Sequence, residues 1–175
     1  GFSGEDGRST IFDYWGIPEH QKWMNNGKFD GGLLTEDQKT LRGFYKDILN
    51  LRLQHAALYV GDFIDLHTLN RNINHNDYPE NVYSFIRYTA EEKLLIIANF
   101  DSKEQDVVIK ISNEIQPILN LEAAKEYIPG LIFKNEAGST PQKTGSFLND
   151  PVNKIFKFKC SRHSVYVYKI LNKGI

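Results

Sequence analysis

His67 and His75 flank an asparagine-rich stretch, and Asp65 or Asp77 could supply the third ligand that a metal ion requires. Imidazole and carboxylate donors suit several transition metals. The spacing follows no metal-binding pattern, however, and no cysteine stands near. Asn99, Asp101 and Asp106 carry the oxygen donors that calcium prefers. Their spacing does not fit an EF-hand loop, which favours turn chemistry, where Asn and Asp bond their own backbone. Cys160 is the only cysteine. It stands in a run of apolar alternation with no base placed beside it, so it reads as a buried structural thiol rather than a nucleophile. From Pro151 to Ile175 the chain carries Lys154, Lys157, Lys159, Arg162, Lys169 and Lys173 and no acid. Alternating Lys and Phe at 156 to 159 could form a basic, aromatic face for nucleic acid. The other reading is an amphipathic strand whose lysines face water and blunt a sheet edge. A net charge of -1 over the whole chain favours the second.

The elements that must position these groups come in two styles. Residues 1 to 34 are punctuated by seven glycines and Pro18, and interleaved with Phe2, Phe12, Tyr14, Trp15, Trp23 and Phe29. Glycine and proline break regular structure, so this stretch is expected to be irregular, and its length points to a functional loop. Thr35-Glu36-Asp37-Gln38 is a capping box, with two acids where the helix dipole favours them. Leu41, Phe44, Ile48 and Leu51 follow at helical spacing, with Tyr45 and Leu49 widening the stripe. The helix is expected to end between Gln54 and Ala57, before Gly61.

Beyond Gly61 the pattern is that of strands. Residues 81–88, 93–100, 107–111, 131–133, 155–160 and 165–170 are rich in β-branched and aromatic side chains. The run 93–100 is apolar on both faces, which predicts a central, buried strand. The last two runs are joined by Ser161 to Ser164 and read as a terminal hairpin, or as neighbours in one sheet. Residues 68–80 and 136–151 read as loops. Aromatics make up 13% of the chain, in keeping with a pleated, half-buried surface. Short strands without intervening helices predict a sandwich. No apolar run approaches the roughly 20 residues of a membrane span. A lone cysteine excludes an intrachain disulfide and leaves the compartment open.

Three segments, in this order, carry a family resemblance. The first is Asp6-Gly7-Arg8-Ser9-Thr10-Ile11-Phe12-Asp13-Tyr14-Trp15. The second is the helix ending Leu49-Asn50-Leu51-Arg52-Leu53-Gln54-His55-Ala56-Ala57-Leu58, with Gly61 just beyond. The third is Val82-Tyr83-Ser84-Phe85-Ile86-Arg87-Tyr88 followed by Leu94 to Phe100, a strand ending Asn-Phe. Together they resemble the C-terminal end of an α-amylase-family enzyme (glycoside hydrolase family 13): the loop after the last barrel strand, the eighth barrel helix, and the first hairpin of the C-terminal domain. The resemblance covers residues 1 to 112. From 113 to 175 it is one of fold.

The resemblance implies a mainly β chain: an antiparallel β-sandwich of the amylase C-terminal-domain type, preceded by an irregular loop segment and one amphipathic α-helix. Residues 1–58 would be the remnant of a (β/α)8 barrel (loop 1–34, helix 35–57), and 59–175 the sandwich. The parent would hydrolyse or transfer α-glucosidic bonds of starch or maltooligosaccharides with retention, using an Asp nucleophile, a Glu acid/base and a stabilising Asp at barrel strand ends. All three belong upstream of Gly1. The chain, opening on a glycine-rich loop, is thus expected to be a fragment with no catalytic residue, inert alone and supporting the missing barrel. In the parent, Asp6 and Arg8 would line the mouth of the active-site cleft, and Tyr14 and Trp15, with Trp23, would stack on sugar rings. The alternatives are a loop-internal ion pair or solvated charge for the first two, and packing for the aromatics. No cofactor is expected in the fragment, while calcium could bind the barrel. The partners implied are the barrel and its α-glucan, with neither nucleic acid nor membrane. The stripe of the helix, stripped of its barrel, would pair two copies of the chain through helix and N-terminal arm. Two readings compete: a carbohydrate-binding sandwich presenting Tyr166, Tyr168 and Tyr83, and a protein-interaction domain.

Overall fold

The computed structural model describes residues 17–73, 77–122, 125–136 and 154–173. The chain divides into two compact units, Gly1–Leu49 and Asn50–Ile175.

In the first unit, Pro18 opens a helix, α1 (Pro18–Met24), inside the stretch expected to be irregular. Proline at the first helical position loses no bond there, and its fixed φ suits the helix. Asn25, at φ 45°, closes it in the left-handed region. Asp30 then gathers the following turn, accepting from Asn25 Nδ2 at 2.7 Å and from the Gly32 N–H at 2.8 Å. The Asn25 amide holds that carboxyl below its ordinary range. Gly31 has φ 70°, and a Cβ there would lie 2.9 Å from the Trp23 ring, so both backbone and space require glycine. The capping box forms as the sequence predicts. The Thr35 N–H donates to Gln38 Oε1 at 3.0 Å, and the Gln38 N–H donates to Thr35 Oγ1 at 3.3 Å. The long helix α2 spans Glu36–Gln54. Phe44 and Ile48 are half-buried, whereas Leu41, Tyr45 and Leu49 are exposed.

The second unit holds the sheets. A single turn, α3 (Ala56–Tyr59), follows α2. β1 (Asp62–Asp65) and α4 (His67–Ile73) come next, so the expected loop at 68–80 gives way to a helix over its first part. Asp65 builds that helix: its carboxylate accepts from the His67 N–H at 2.8 Å and from Thr68 Oγ1 at 2.7 Å. This satisfies a donor the first turn leaves free. Asn70, fully buried, donates to Leu66 O and Lys110 O and accepts from the Lys110 N–H at 2.7 Å. The strands β2 (Val82–Tyr88), β3 (Lys93–Asn99) and β4 (Gln105–Ile111) follow, then the turn α5 (Ile115–Ile118). β5 (Tyr127–Glu136), β6 (Lys154–Cys160) and β7 (Ser164–Asn172) complete the chain.

One sheet has the order β1-β2-β3-β7-β5, and the other pairs β4 with β6. Every pairing is antiparallel. β3 is central, flanked by β2 and β7, as its two-faced apolar pattern predicts. The core lies between the sheets. Val82, Ile86, Leu95, Ile97, Tyr166, Tyr168 and Ile170 come from the larger, and Val107, Ile109, Ile111, Phe156, Phe158 and Cys160 from the smaller.

The expectation that the last two strands form a hairpin or lie side by side is corrected. β6 belongs to the small sheet and β7 to the large one, and their inner faces meet across the core, with the Phe158 and Tyr168 rings 4.9 Å apart. The chain crosses between sheets at Ser161–His163. Asn99, nearly fully buried at the end of β3, holds this corner. Its amide faces the carbonyls of Lys103 (2.9 Å), Cys160 (3.2 Å) and Ser161 (2.9 Å), and its Oδ1 accepts from the Asp101 N–H at 2.9 Å.

Candidate functional site

The residues proposed to meet substrate in the parent, Asp6, Arg8, Tyr14 and Trp15, lie outside the described residues. Trp23 is described, half-buried, and one of its faces is taken. The Arg42 guanidinium sits 4.2 Å over the ring, and Gly31 closes against its edge. This is the packing alternative, with a cation held against an electron-rich face.

The metal candidates are used otherwise. Asp65 caps α4, and His67 Nδ1 donates to Val82 O at 2.8 Å, while the His67 ring packs against Tyr78 and Tyr83. His75 lies outside the described residues. Among the described residues no three His, Cys, Asp or Glu side chains converge as a metal would require. Asp101 is an organiser of the β3–β4 turn. It accepts from Asn81 Nδ2, the Lys103 N–H and Gln105 Nε2, and the Asn81 bond leads the effects that hold its carboxyl below the ordinary range.

Tyr166 and Tyr168 were the basis for glycan binding, and the structure removes them from the surface: they are 0% and 1% exposed, stacked at 6.2 Å in the core. The alternation that puts Tyr on one face of β7 has put that face inside. The basic strand is amphipathic, with Lys157 and Lys159 in water, Phe156 and Phe158 inside, and Lys159 paired to Glu104 at 2.8 Å. Lys154 departs from the expected row of solvated lysines. It is 2% exposed, donates to Lys125 O at 2.6 Å and lies 5.4 Å from the Tyr127 ring centre. Aromatic face and carbonyl together replace the water it loses.

Three features escaped the sequence reading. The first is a polar cleft of about 460 Å³ lined by Arg71, Asp77, Glu80, Glu104 and Asp106 around Tyr78. Burial pushes the Tyr78 hydroxyl up to about 12, and its OH shares a 2.9 Å bond with Ser84. The second is the outer face of the large sheet, away from the core. Leu51 and Ala57 cover Leu94, Ile96 and Val167 there, with Leu58, Phe85, Phe133 and Val165 around them. The aromatic row continues outward: Phe63 lies 5.5 Å from Phe85, Phe85 lies 5.7 Å from Tyr83, and Phe63 is 50% exposed. Alternation along β1 and β2 carried this signal, because the positions between the core residues are themselves apolar.

The third feature is a charged cluster where α2 gives way to the sheet. Glu92 Oε1 meets His55 Nδ1 at 2.8 Å and Lys169 Nζ at 3.1 Å, and Glu92 Oε2 accepts from the Ala57 N–H at 3.4 Å. Arg87 Nε donates to Ala57 O at 3.1 Å. Burial raises the Glu92 carboxyl, but the hydrogen bonds from His55, Lys169 and Ala57 outweigh it and hold it below its ordinary range.

Taken together, these elements define a sandwich of the amylase C-terminal-domain type, preceded by an amphipathic helix. Comparison with known proteins agrees. Over 70 residues, 40% of the chain, the sequence is 31% identical to α-amylase 2 of Dictyoglomus thermophilum and spans 10% of that protein's length. In fold it is similar to a debranching enzyme of Nostoc punctiforme, with a TM-score of 0.52 at 13% identity over 75% of this chain and 21% of that one. An α-amylase from H. orenii aligns with a TM-score of 0.48 at 17% identity, over 80% of this chain and 23% of that one. No family model matches. The chain is thus similar in sequence to an α-amylase over 70 residues and in fold to part of a debranching enzyme, and it spans about a tenth to a quarter of the length of these relatives.

Proposed function

We propose that this chain is the non-catalytic C-terminal region of an α-amylase-like glycoside hydrolase acting on α-glucans, and that it braces the catalytic barrel. One observation carries the reading: the outer face of the large sheet is apolar and incompletely covered. Phe63 stands half in water, and Phe85, Tyr83, Val165 and Phe133 beside it are only partly buried. A second apolar stripe, Leu41, Tyr45 and Leu49, lies exposed along α2. Exposed apolar surface of this kind marks a docking face. The sequence likeness to an α-amylase supports a glycosidase barrel as the occupant. Asp6, Arg8, Tyr14 and Trp15 are the positions of this chain proposed to reach the barrel's substrate.

The test uses the parent enzyme carrying Phe63→Ser, and the 175-residue chain alone. In the isolated chain, replacing a half-exposed ring should move stability by about 0.5 kcal/mol or less. In the parent, the temperature at which starch hydrolysis is lost should fall by several degrees while kcat at 25 °C is kept. The isolated chain should release no reducing sugar from starch. Hydrolysis by the pure chain, or an unchanged inactivation temperature in the parent variant, would overturn the proposal.

A further inference from the structure

The segment from His55 to Gly61 lies on the outer sheet face with few apolar anchors of its own. Ala57 is buried there and Leu58 is half-buried, while Tyr59 and Val60 point to water. Its internal bonds close one turn only, from the Leu58 N–H to His55 O at 2.9 Å and from the Val60 N–H to Ala56 O at 3.0 Å. An isolated turn of this size has no stability by itself. Besides Ala57 and Leu58, polar contacts hold it, and two of them pass through one side chain. Glu92, in the turn between β2 and β3, grips the segment at His55 Nδ1 and at the Ala57 N–H. Lys169 of β7 faces the same carboxylate, and Arg87 of β2 takes the carbonyl of Ala57. Lys93, next along the chain, points elsewhere and donates to Ala90 O. Thr89 Oγ1 accepts from the Glu92 N–H at 3.1 Å and fixes the turn that presents the carboxylate.

At the far end of the segment is Gly61, where a Cβ would stand 2.5 Å from Ala57 O and 2.6 Å from Tyr88 O. Beneath the segment lie Leu94, Ile96 and Val167. The arrangement is therefore a short cover with a glycine at one end, a helix end at the other, and an acid-dependent clasp between.

We propose that residues 55–61 form a flap on the large sheet, latched by Glu92, that opens as a unit when this carboxylate is neutralised or removed. The sign follows from the chemistry. The folded environment favours the charged form of Glu92, so the latch is complete above the ordinary carboxylate value of 4.5 and is lost as pH falls through the lower folded one. Opening would bare Leu94 and Ile96 while leaving the inner core between the sheets intact, a local transition of the kind native proteins undergo below their global unfolding energy.

Amide hydrogen exchange on the 175-residue chain tests the flap. In Glu92→Gln at pH 7, the amides of Ala57, Leu58 and Val60 should exchange about tenfold to a hundredfold faster, while those of core positions on β3, such as Leu95 and Ile97, keep their rates. In the unaltered chain, the same flap amides should gain protection as pH rises from 3 to 5, after correction for intrinsic exchange, and Glu92→Gln should abolish that gain. Equal acceleration of flap and β3 amides would show a global effect and overturn the proposal. So would unchanged flap amides. If Glu92→Gln does not fold, the pH series on the unaltered chain decides alone: flap amides that track β3 amides at every pH refute the flap.

Discussion

Asn99→Ala should be among the costliest single polar changes in this sandwich. The side chain is 2% exposed and ends the central strand where the chain passes between sheets. Its amide carries two hydrogens shared among the carbonyls of Lys103, Cys160 and Ser161, and its Oδ1 accepts from the Asp101 N–H. Alanine removes two donated bonds and one accepted bond, and it leaves the partners in a space that excludes much of the solvent. At about 1 kcal/mol per bond, the loss is about 3 kcal/mol, rising if the carbonyls stay dry. For a domain of this size each kcal/mol lowers Tm by about 2–4 °C, so the expected drop is about 6–12 °C. Urea unfolding should show a lower midpoint with an unchanged slope, the mark of a stability effect alone. Asn99→Asp should cost at least as much, since it turns a second oxygen toward three carbonyls. Phe100→Ser, one residue on and 70% exposed, should stay within about 0.5 kcal/mol. A loss below about 1 kcal/mol for Asn99→Ala would refute the corner as described, because water would then be serving those carbonyls equally well.

Gly61→Ala should destabilise the chain by about 1–3 kcal/mol, because the new methyl meets two backbone oxygens that cannot swing aside, and thermal unfolding would register it. Tyr78 should resist ionisation until about pH 12. Its folded value lies above the unfolded one, so its contribution to stability is whole below about pH 10 and is lost as pH climbs through the folded value. Ultraviolet titration of the chain against Tyr78→Phe should show one late-titrating tyrosine missing in the variant, and an unchanged titration would contradict the burial.

What could be read in the sequence was local. The capping box at Thr35 and Gln38 is written in four residues and forms as written. β3 announced its central place through apolar residues on both faces. α1 was hidden because glycine density spoke louder than Pro18, whose position at a helix start was the available signal. α4 was hidden because His67, Asn70 and Asn72 are weak helix formers. Its stability comes from the Asp65 cap and from bonds between Asn70 and Lys110, forty residues away. β5 runs the full Tyr127–Glu136, far beyond the three residues expected. Pro129 and Gly130 argued against it, yet proline is admissible in a strand paired on one side only, and among the described residues β5 pairs with β7 alone. The crossing after Cys160 reads as a hairpin, or as a link within one sheet, because short polar connections look alike. The difference lies in Asn99, sixty-one residues upstream. The Glu92 cluster was similarly out of reach: it joins His55, the turn before β3 and Lys169 of β7, which no single window contains.

Cys160 gives the molecule a clock. It is the only thiol in the chain and it is 0% exposed, its side chain in the core at the end of β6. A thiolate reagent cannot react until β6 leaves its neighbours, and each molecule can then react only once. The alkylation rate of the native chain, divided by that of the denatured chain, therefore counts core openings directly. A flap movement at residues 55–61 should leave it untouched, so the single thiol separates breathing at the sheet's outer face from loss of the sandwich itself.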